Sequence, residues 1–153
     1  MHFTLDDIDE QFYLIGIHSP TEDYRIAFLL NQHLKMKFQR SEKYLDFEKS
    51  DAFFPIFEFK DQSSFINYYL INNKHVSSKT ETENTMDLFG SGNYSSTTYL
   101  IPEQKKVDYF IKIDGCDSSF VKGLVSEING LKQIVTSYEI DADTLKSKNN
   151  LIF

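Results

Sequence analysis

The chain contains little cysteine, arginine or tryptophan. Its 153 residues include one cysteine, Cys116, and two arginines, Arg25 and Arg40, and tryptophan is absent. A single cysteine excludes a disulfide within the chain, which favours a reducing compartment. Proteins that bind nucleic acids gain much of their affinity from clustered lysine and arginine, whereas this chain has a formal net charge of −7. We therefore predict no nucleic-acid partner.

Long apolar runs are also absent. No stretch approaches the roughly 18 apolar residues that a membrane-spanning helix needs. The residues at 1–10 include Asp6, Asp7, Asp9 and Glu10, which is the opposite of the positive start of a secretory signal. We therefore expect a cytoplasmic protein with no membrane partner.

The residue types that hold metal ions show no ligand pattern. The histidines at 2, 18, 33 and 75 have no paired spacing, whereas a metal site needs several ligands that converge. The acidic cluster at 6–10 lacks the central glycine and the alternating ligands of a calcium loop. The sequence therefore predicts no metal and no cofactor.

Aromatic residues are abundant, with 14 phenylalanines and 9 tyrosines. They supply apolar area for a packed core, and one core commonly serves about 100–200 residues. We therefore predict a single α+β domain over residues 1–153. Apolar spacing predicts strands near 12–17, 37–47, 53–59, 65–71, 107–113 and 133–140, and helices near 20–34 and 118–130.

This order of elements predicts a two-layer sandwich, in which a mostly antiparallel sheet carries two helices on one face. The layout is similar to ferredoxin-like and ACT-like domains with an extra hairpin, a comparison that rests on topology alone. Ser19 is expected to cap the first helix, with Pro20 in its first turn. Pro55 lacks an amide donor, which favours an edge strand.

The strand at 107–113 alternates between apolar and mixed positions. The alternation predicts that one face lies in the core and that the other does not. The core face is formed by Val107, Tyr109, Ile111 and Ile113. The opposite face is formed by Asp108, Phe110 and Lys112.

Two polar segments interrupt the pattern. Residues 77–98 are predicted to form a mobile loop, and residues 141–153 a polar C-terminal tail. Each segment contains an apolar island. The loop island is Met86, Leu88 and Phe89, and the tail ends in Leu151, Ile152 and Phe153. Each island either docks onto the domain or recognises a protein partner, and both alternatives stay open here.

One segment, Ile101-Pro102-Glu103-Gln104-Lys105-Lys106-Val107-Asp108-Tyr109, has a distinctive spacing. It resembles the defining motif of the bacterial IPExxxVDY family, and the rest of the chain fits that family's size and layout. The resemblance implies no activity, substrate or cofactor, so no catalytic residue is carried over. From the residues themselves, Pro102 predicts the turn of a hairpin, and Val107 and Tyr109 are expected in the core. In the rival interpretation Glu103 and Asp108 form a carboxylate pair for acid–base catalysis.

The turn before the second predicted helix is a candidate ligand site by its position. Small molecules bind ACT-like domains near strand-to-helix turns at subunit interfaces, and here such a turn contains Asp114, Gly115, Asp117 and Ser118. Two aspartates favour an amine or a cation. The same carboxylates oppose thiolate formation at Cys116, so we predict an inert thiol.

Together these patterns favour a non-enzymatic protein-interaction module with an unidentified protein partner. The alternative is an ACT-like regulatory domain that binds a small molecule and forms a homodimer. An enzyme that uses Glu103 and Asp108 ranks below both.

Overall fold

The computed structural model describes residues 11–47, 51–80 and 93–153. In these ranges the helices are α1 (Asp23–Leu34) and α2 (Ser118–Asn129). The strands are β1 (Tyr13–His18), β2 (Gln39–Asp46), β3 (Phe53–Asp61), β4 (Ile66–Asn72), β5 (Lys74–Thr80), β6 (Asn93–Tyr99), β7 (Tyr109–Asp114) and β8 (Thr136–Ile140). Short 3-10 helices lie at Pro102–Gln104, Ala142–Thr144 and Lys148–Leu151.

Six strands form one antiparallel sheet in the order β2-β3-β4-β7-β1-β8, and β5 pairs with β6 in a separate sheet. Strands β4, β7, β1 and β8, together with the two helices, have the strand order of a ferredoxin-like arrangement. Strands β2 and β3 extend this core at one edge. The predicted α+β sandwich is therefore confirmed.

The two faces of the six-stranded sheet bury different clusters of side chains. The helix face packs against both helices, and its cluster includes Ile15, Leu70, Ile111, Leu30 of α1 and Leu124 of α2. The second face is the opposite one, and its cluster includes Leu14, Phe54, Phe110, Leu100, Leu145 and Leu151. Connecting segments, rather than helices, therefore cover the second face.

Helix α1 begins later than the sequence predicts, at Asp23. The Ser19 hydroxyl does not cap it, because this hydroxyl donates to the Gln133 carbonyl at 2.6 Å and accepts the Thr21 amide at 3.2 Å. Glu22 occupies the N-cap position without a side-chain cap bond. Ser19 therefore forms a tertiary hydrogen bond with Gln133 instead of the N-cap bond that the local sequence pattern predicts.

Helix α2 follows its prediction more closely. The Asp117 carboxylate caps it by accepting the Phe120 amide at 2.8 Å, and Gly130 is the C-cap residue. Among the described residues, neither helix has the length and apolar character that a membrane span requires.

An asparagine near the end of each helix binds the backbone of the next segment. The Asn31 side chain accepts the Phe38 amide at 2.7 Å and donates to the Phe38 carbonyl at 3.0 Å. Asn129 does the same with Ser137, at 2.7 and 3.1 Å. These paired bonds explain why a polar residue, Asn31, directly follows the buried Leu30 of α1.

Strand β7 is buried on both faces, which corrects the prediction. Tyr109, Ile111 and Ile113 lie on the helix face as predicted. However, Phe110 is fully buried and Lys112 is only 7% exposed, because the C-terminal segment covers them. Val107 precedes the strand and packs in the second-face cluster instead of beside Tyr109.

Pro55 lies in an internal strand, so the edge-strand prediction was wrong. Strand β3 pairs with both β2 and β4, and among the described strands the edges of the sheet are β2 and β8. Pairing with β4 starts at Ile56. The missing amide of Pro55 therefore breaks no bond of that ladder, which is how an internal strand accommodates a proline.

The predicted loop and the predicted hairpin both need correction. Residues 77–80 and 93–98 belong to β5 and β6, which pair from Lys74 opposite Tyr99 to Thr80 opposite Asn93. The loop island of Met86, Leu88 and Phe89 lies outside the described residues.

Pro102 begins a 3-10 helix in a connection between two different sheets, so the segment from Ile101 to Val107 is not a hairpin turn.

The C-terminal segment 141–153 packs onto the second face. Leu145 and Leu151 are buried, whereas Ile152 is partly exposed and Phe153 is 49% exposed. Leu151 therefore docks within the chain and is unavailable to a partner. Phe153 keeps half of its surface free.

Candidate functional site

The motif segment is organised around one buried residue, Asn73. The Asn73 side chain donates to the carbonyls of Gln104 and Val107, both at 2.8 Å, and accepts the Ile101 amide at 2.8 Å. Its backbone carbonyl accepts the Leu100 amide, and its amide donates to the Asp108 carbonyl. Asn73 is fully buried. One side chain thus satisfies the backbone of the irregular segment that carries the motif.

The two motif carboxylates bind different partners. Glu103 accepts the amide and the hydroxyl of Ser147, at 2.6 and 2.8 Å, and so ties the motif to the C-terminal segment. Asp108 accepts the Ser19 amide and the Lys74 ammonium, both at 2.8 Å. The structure therefore does not bring Glu103 and Asp108 together as an acid–base pair.

The apolar and aromatic motif residues join the same region to the core. Ile101 and Val107 are fully buried in the second-face cluster. Tyr109 lies in the helix-face cluster, and its hydroxyl donates to the Thr21 carbonyl at 2.5 Å. Pro102 occupies the first turn of its 3-10 helix. All six motif residues thus have structural contacts here.

The predicted ligand turn uses its polar groups internally. Asp114 accepts the Asn67 side-chain amide at 2.9 Å, and Asp117 caps α2, which begins at Ser118. Gly115 has a φ of +89°, and a Cβ there would collide with the Phe65 carbonyl. Asp114, Gly115 and Asp117 therefore have structural roles in the connection between β7 and α2.

The thiol of Cys116 and the rings of His18 and His75 have ordinary structural surroundings. Burial, together with Asp117 and Asp114, raises the pKa of the Cys116 thiol to about 11, as the inert-thiol prediction requires. The His18 ring nitrogen lies 2.8 Å from the Tyr138 hydroxyl, and His75 packs against Phe53. The part of the chain that the structure describes contains no cluster of potential metal ligands.

Lys112 is a lysine buried within the second face. Its ammonium donates to the Leu151 carbonyl at 2.7 Å. Its nitrogen lies 4.0, 4.8 and 5.6 Å from the ring centres of Phe153, Phe12 and Tyr69. Burial lowers the pKa of Lys112 to about 8, although the nearby Asp114 carboxylate opposes this shift. An aromatic cage thus holds this cation at the point where the C-terminal segment docks.

A groove lies beside this cage, on the part of the second face formed by β2, β3 and β4. This second-face groove has a volume of about 570 Å³. It is lined by Ser41, Lys43, Tyr44, Leu45, Asp46, Ile56, Glu58, Lys60, Tyr69 and Phe153. Two lysines and two carboxylates therefore share a cavity with three aromatic rings.

A second cavity, the helix-side cleft, lies where both helices meet β3 and β4. Its volume is about 390 Å³. It is lined by Leu34, Lys35, Met36, Phe59, Asp61, Tyr68, Ser119, Phe120, Gly123, Leu124 and Glu127. The predicted turn residues do not line this cleft, but Ser119 and Phe120 directly follow them.

Sequence reasoning missed Asn73, Lys112 and both cavities. A signal existed for Lys112, which lies between Ile111 and Ile113, whereas Asn73 lies between Asn72 and Lys74 and has no such signal. The cavities carry no local signal, because their walls come from strands and helices far apart in the chain.

Comparisons of the chain with protein-family models, with curated proteins and with solved structures found no match.

Proposed function

We propose that this protein is a non-enzymatic interaction module that binds an extended peptide segment of a protein partner along β2. The observation that carries the proposal is the second-face groove, because five of its lining residues belong to β2. A peptide paired with β2 would place a side chain directly into this cavity.

The edge position of β2 supplies the backbone part of this interaction. Within the described residues, strand β2 has a hydrogen-bonded neighbour on one side only, namely β3. An edge strand presents amides and carbonyls to which an added strand can bond. Such bonds provide affinity that does not depend on the sequence of the peptide.

Tyr44, which lines the groove, supplies an apolar part and contacts further aromatic rings outside the groove. Tyr44 is 54% exposed, and its ring centre lies 5.7 Å from that of Phe53, which is itself 44% exposed. The Phe53 ring lies 4.9 Å from His75. Aromatic residues dominate the binding energy of many interfaces, so this cluster supports a protein partner.

The charges in the groove favour a peptide of mixed charge. Lys43 and Lys60 face the same cavity as Asp46 and Glu58. A partner that places an acid near the lysines and a base near the carboxylates would bind with complementary potential. The groove therefore selects for charge pattern rather than for net charge.

The remaining parts of the proposal rest on the contacts of the two motif carboxylates and on the sequence. The separate partners of Glu103 and Asp108 support a binding role over acid–base catalysis. The single cysteine supports a cytoplasmic location, and the motif spacing supports membership of the bacterial IPExxxVDY family.

Site-specific photo-crosslinking tests the proposal. p-Benzoylphenylalanine replaces Tyr44 in one variant and Tyr24 of α1 in the control, because these tyrosines are 54% and 55% exposed. After irradiation in lysate of the source organism, we expect position 44 to yield an adduct with one protein segment that position 24 does not yield. A synthetic peptide of that segment should bind Tyr44→Ser about tenfold more weakly than Tyr24→Ser.

Three results would overturn the proposal. The first is the same set of adducts at both positions, and the second is no adduct at position 44. The third is an adduct only between two copies of this chain, which would make a homodimer the occupant of the groove.

A further inference from the structure

The helix-side cleft has a wall of fixed aromatic rings. The Phe59 and Tyr68 rings are nearly parallel, with an angle of 6° and 5.1 Å between their centres. Phe38 contacts both rings edge-on from the core, at 6.1 and 6.2 Å, which holds them in place. Phe120 lies 6.4 Å from Tyr68 and is 39% exposed. Ring faces held in this way attract cations and apolar groups.

Two carboxylates, Asp61 and Glu127, line the same cleft. Hydrogen bonds from Ser63 and Ser64 lower the pKa of the Asp61 carboxyl, which keeps it ionised. Burial raises the pKa of Tyr68 to about 12, and Asp61 and Glu127 contribute to this rise through their charge. The negative charge therefore acts directly at the aromatic wall.

The cleft also contains polar groups that a ligand can reach. The Tyr68 side chain lines the cleft and is 4% exposed, and within the described ranges its hydroxyl forms no hydrogen bond, whereas the Asp61 carboxylate accepts hydrogen bonds from Ser63 and Ser64. Within those ranges, neither Asp61 nor Glu127 forms an ion pair with a lysine or an arginine. A ligand in the cleft would supply a hydrogen-bond partner for the Tyr68 hydroxyl and a positive charge for the two carboxylates.

An exposed glycine in the middle of α2 borders the cleft. Gly123 lines the cleft, and a Cβ placed there would meet nothing within 4 Å. Glycine in the interior of a helix is less favourable than alanine. A side chain at position 123 would therefore enter open space beside the cleft without disturbing the packing of α2.

We propose that the helix-side cleft binds a small organic ammonium ion. The ring faces contact the carbon groups next to nitrogen, the two carboxylates balance the charge, and the Tyr68 hydroxyl bonds a polar group of the ligand. The volume of about 390 Å³ suits a small molecule. This proposal goes beyond the interaction module, because the cleft and the second-face groove lie on opposite faces of the sheet.

Calorimetric titration with choline tests the charge requirement. Choline carries a quaternary ammonium and a hydroxyl, and 3,3-dimethyl-1-butanol has the same shape without the charge. We expect choline to bind the intact chain at least about tenfold more tightly than its neutral analogue. Equal affinities, or no binding of choline, would overturn the proposal.

Four variants locate the bound ion. Tyr68→Phe, the double change of Asp61→Asn with Glu127→Gln, and Gly123→Leu should each weaken choline binding. Glu42→Gln removes one negative charge from exposed β2 and should leave binding unchanged. Thermal unfolding checks that each variant is folded, and replacement of Gly123 is expected to preserve the helix. Unchanged affinity in the Tyr68 and Gly123 variants would overturn the assignment to this cleft.

Discussion

The two faces of the six-stranded sheet are covered in different ways. On the helix face, α1 and α2 contribute apolar side chains at helical spacing to one cluster. On the second face, the cover consists of irregular segments around Leu100, Leu145 and Leu151. These segments lie over the central strands, and a groove remains at β2 and β3. The comparison shows that irregular segments, without any helix, can cover part of a sheet face with a packed hydrophobic core.

The largest expected effect compares neighbouring residues of β7 that point to opposite faces. Phe110→Ala should lower the free energy of unfolding by about 3–5 kcal/mol, and Ile111→Ala by about 2–5 kcal/mol. Both side chains are fully buried, so both changes leave cavities. Urea unfolding measures the two values. A loss below about 1 kcal/mol for Phe110→Ala would mean that the second face is not a core.

A smaller effect concerns the pH dependence of stability through Lys112. Its pKa is about 8 in the folded chain and 10.5 for an ordinary lysine. Between these values the unfolded chain binds more protons, so stability should rise as the pH rises from about 8 to about 10.5. The rise should be on the order of 1–3 kcal/mol relative to Lys112→Met, which cannot titrate.

Denaturant unfolding at several pH values provides this measurement. Below about pH 8 both states hold the proton, and the difference between the intact chain and Lys112→Met should be constant. A difference that stays flat up to pH 10.5 would show that water reaches Lys112. In that case the C-terminal segment would not seal the second face.

The smallest effect is expected in the open part of the second face. Tyr44→Ser should change the free energy of unfolding by less than about 0.5 kcal/mol, because the side chain is 54% exposed at a cavity. Thermal unfolding of Tyr44→Ser is compared with that of the control variant Tyr24→Ser. A loss similar to that of Phe110→Ala would mean that the open part is packed as tightly as the covered part.

The helix face was largely predictable from local patterns. The apolar run of β1, the two runs around the turn between β3 and β4, and the spacing of Val121, Leu124 and Ile128 in α2 all depend on neighbouring residues. Asp117 and Ser118 are both residue types typical of an N-cap, and the structure shows that Asp117 is the cap. Prediction from sequence fails where a residue with a local preference is used in a long-range contact instead. Ser19 is an example, because its hydroxyl bonds the Gln133 carbonyl and does not cap α1.

The second face was not predictable in this way. Lys112 can be buried because the Leu151 carbonyl, 39 residues later, accepts a hydrogen bond from its ammonium. Asn73 is buried because its bonds extend to Ile101 and Val107. The spacing of apolar residues in the sequence does not predict such contacts, since each depends on where an irregular segment packs against the sheet. The groove and the cleft share this origin.

The strand order has a consequence for the time at which the sheet can form. β1 pairs with β7 and β8 only, through Leu14 opposite Lys112 and Leu14 opposite Ile140. About ninety residues separate the end of β1 from the start of β7. During synthesis β1 must therefore leave the ribosome without a partner, and it acquires its second neighbour only when β8 is made. Folding that waits for such distant pairings is slow, and a nascent chain of this kind exposes Leu14 and Ile15 to chaperones until the last strand emerges.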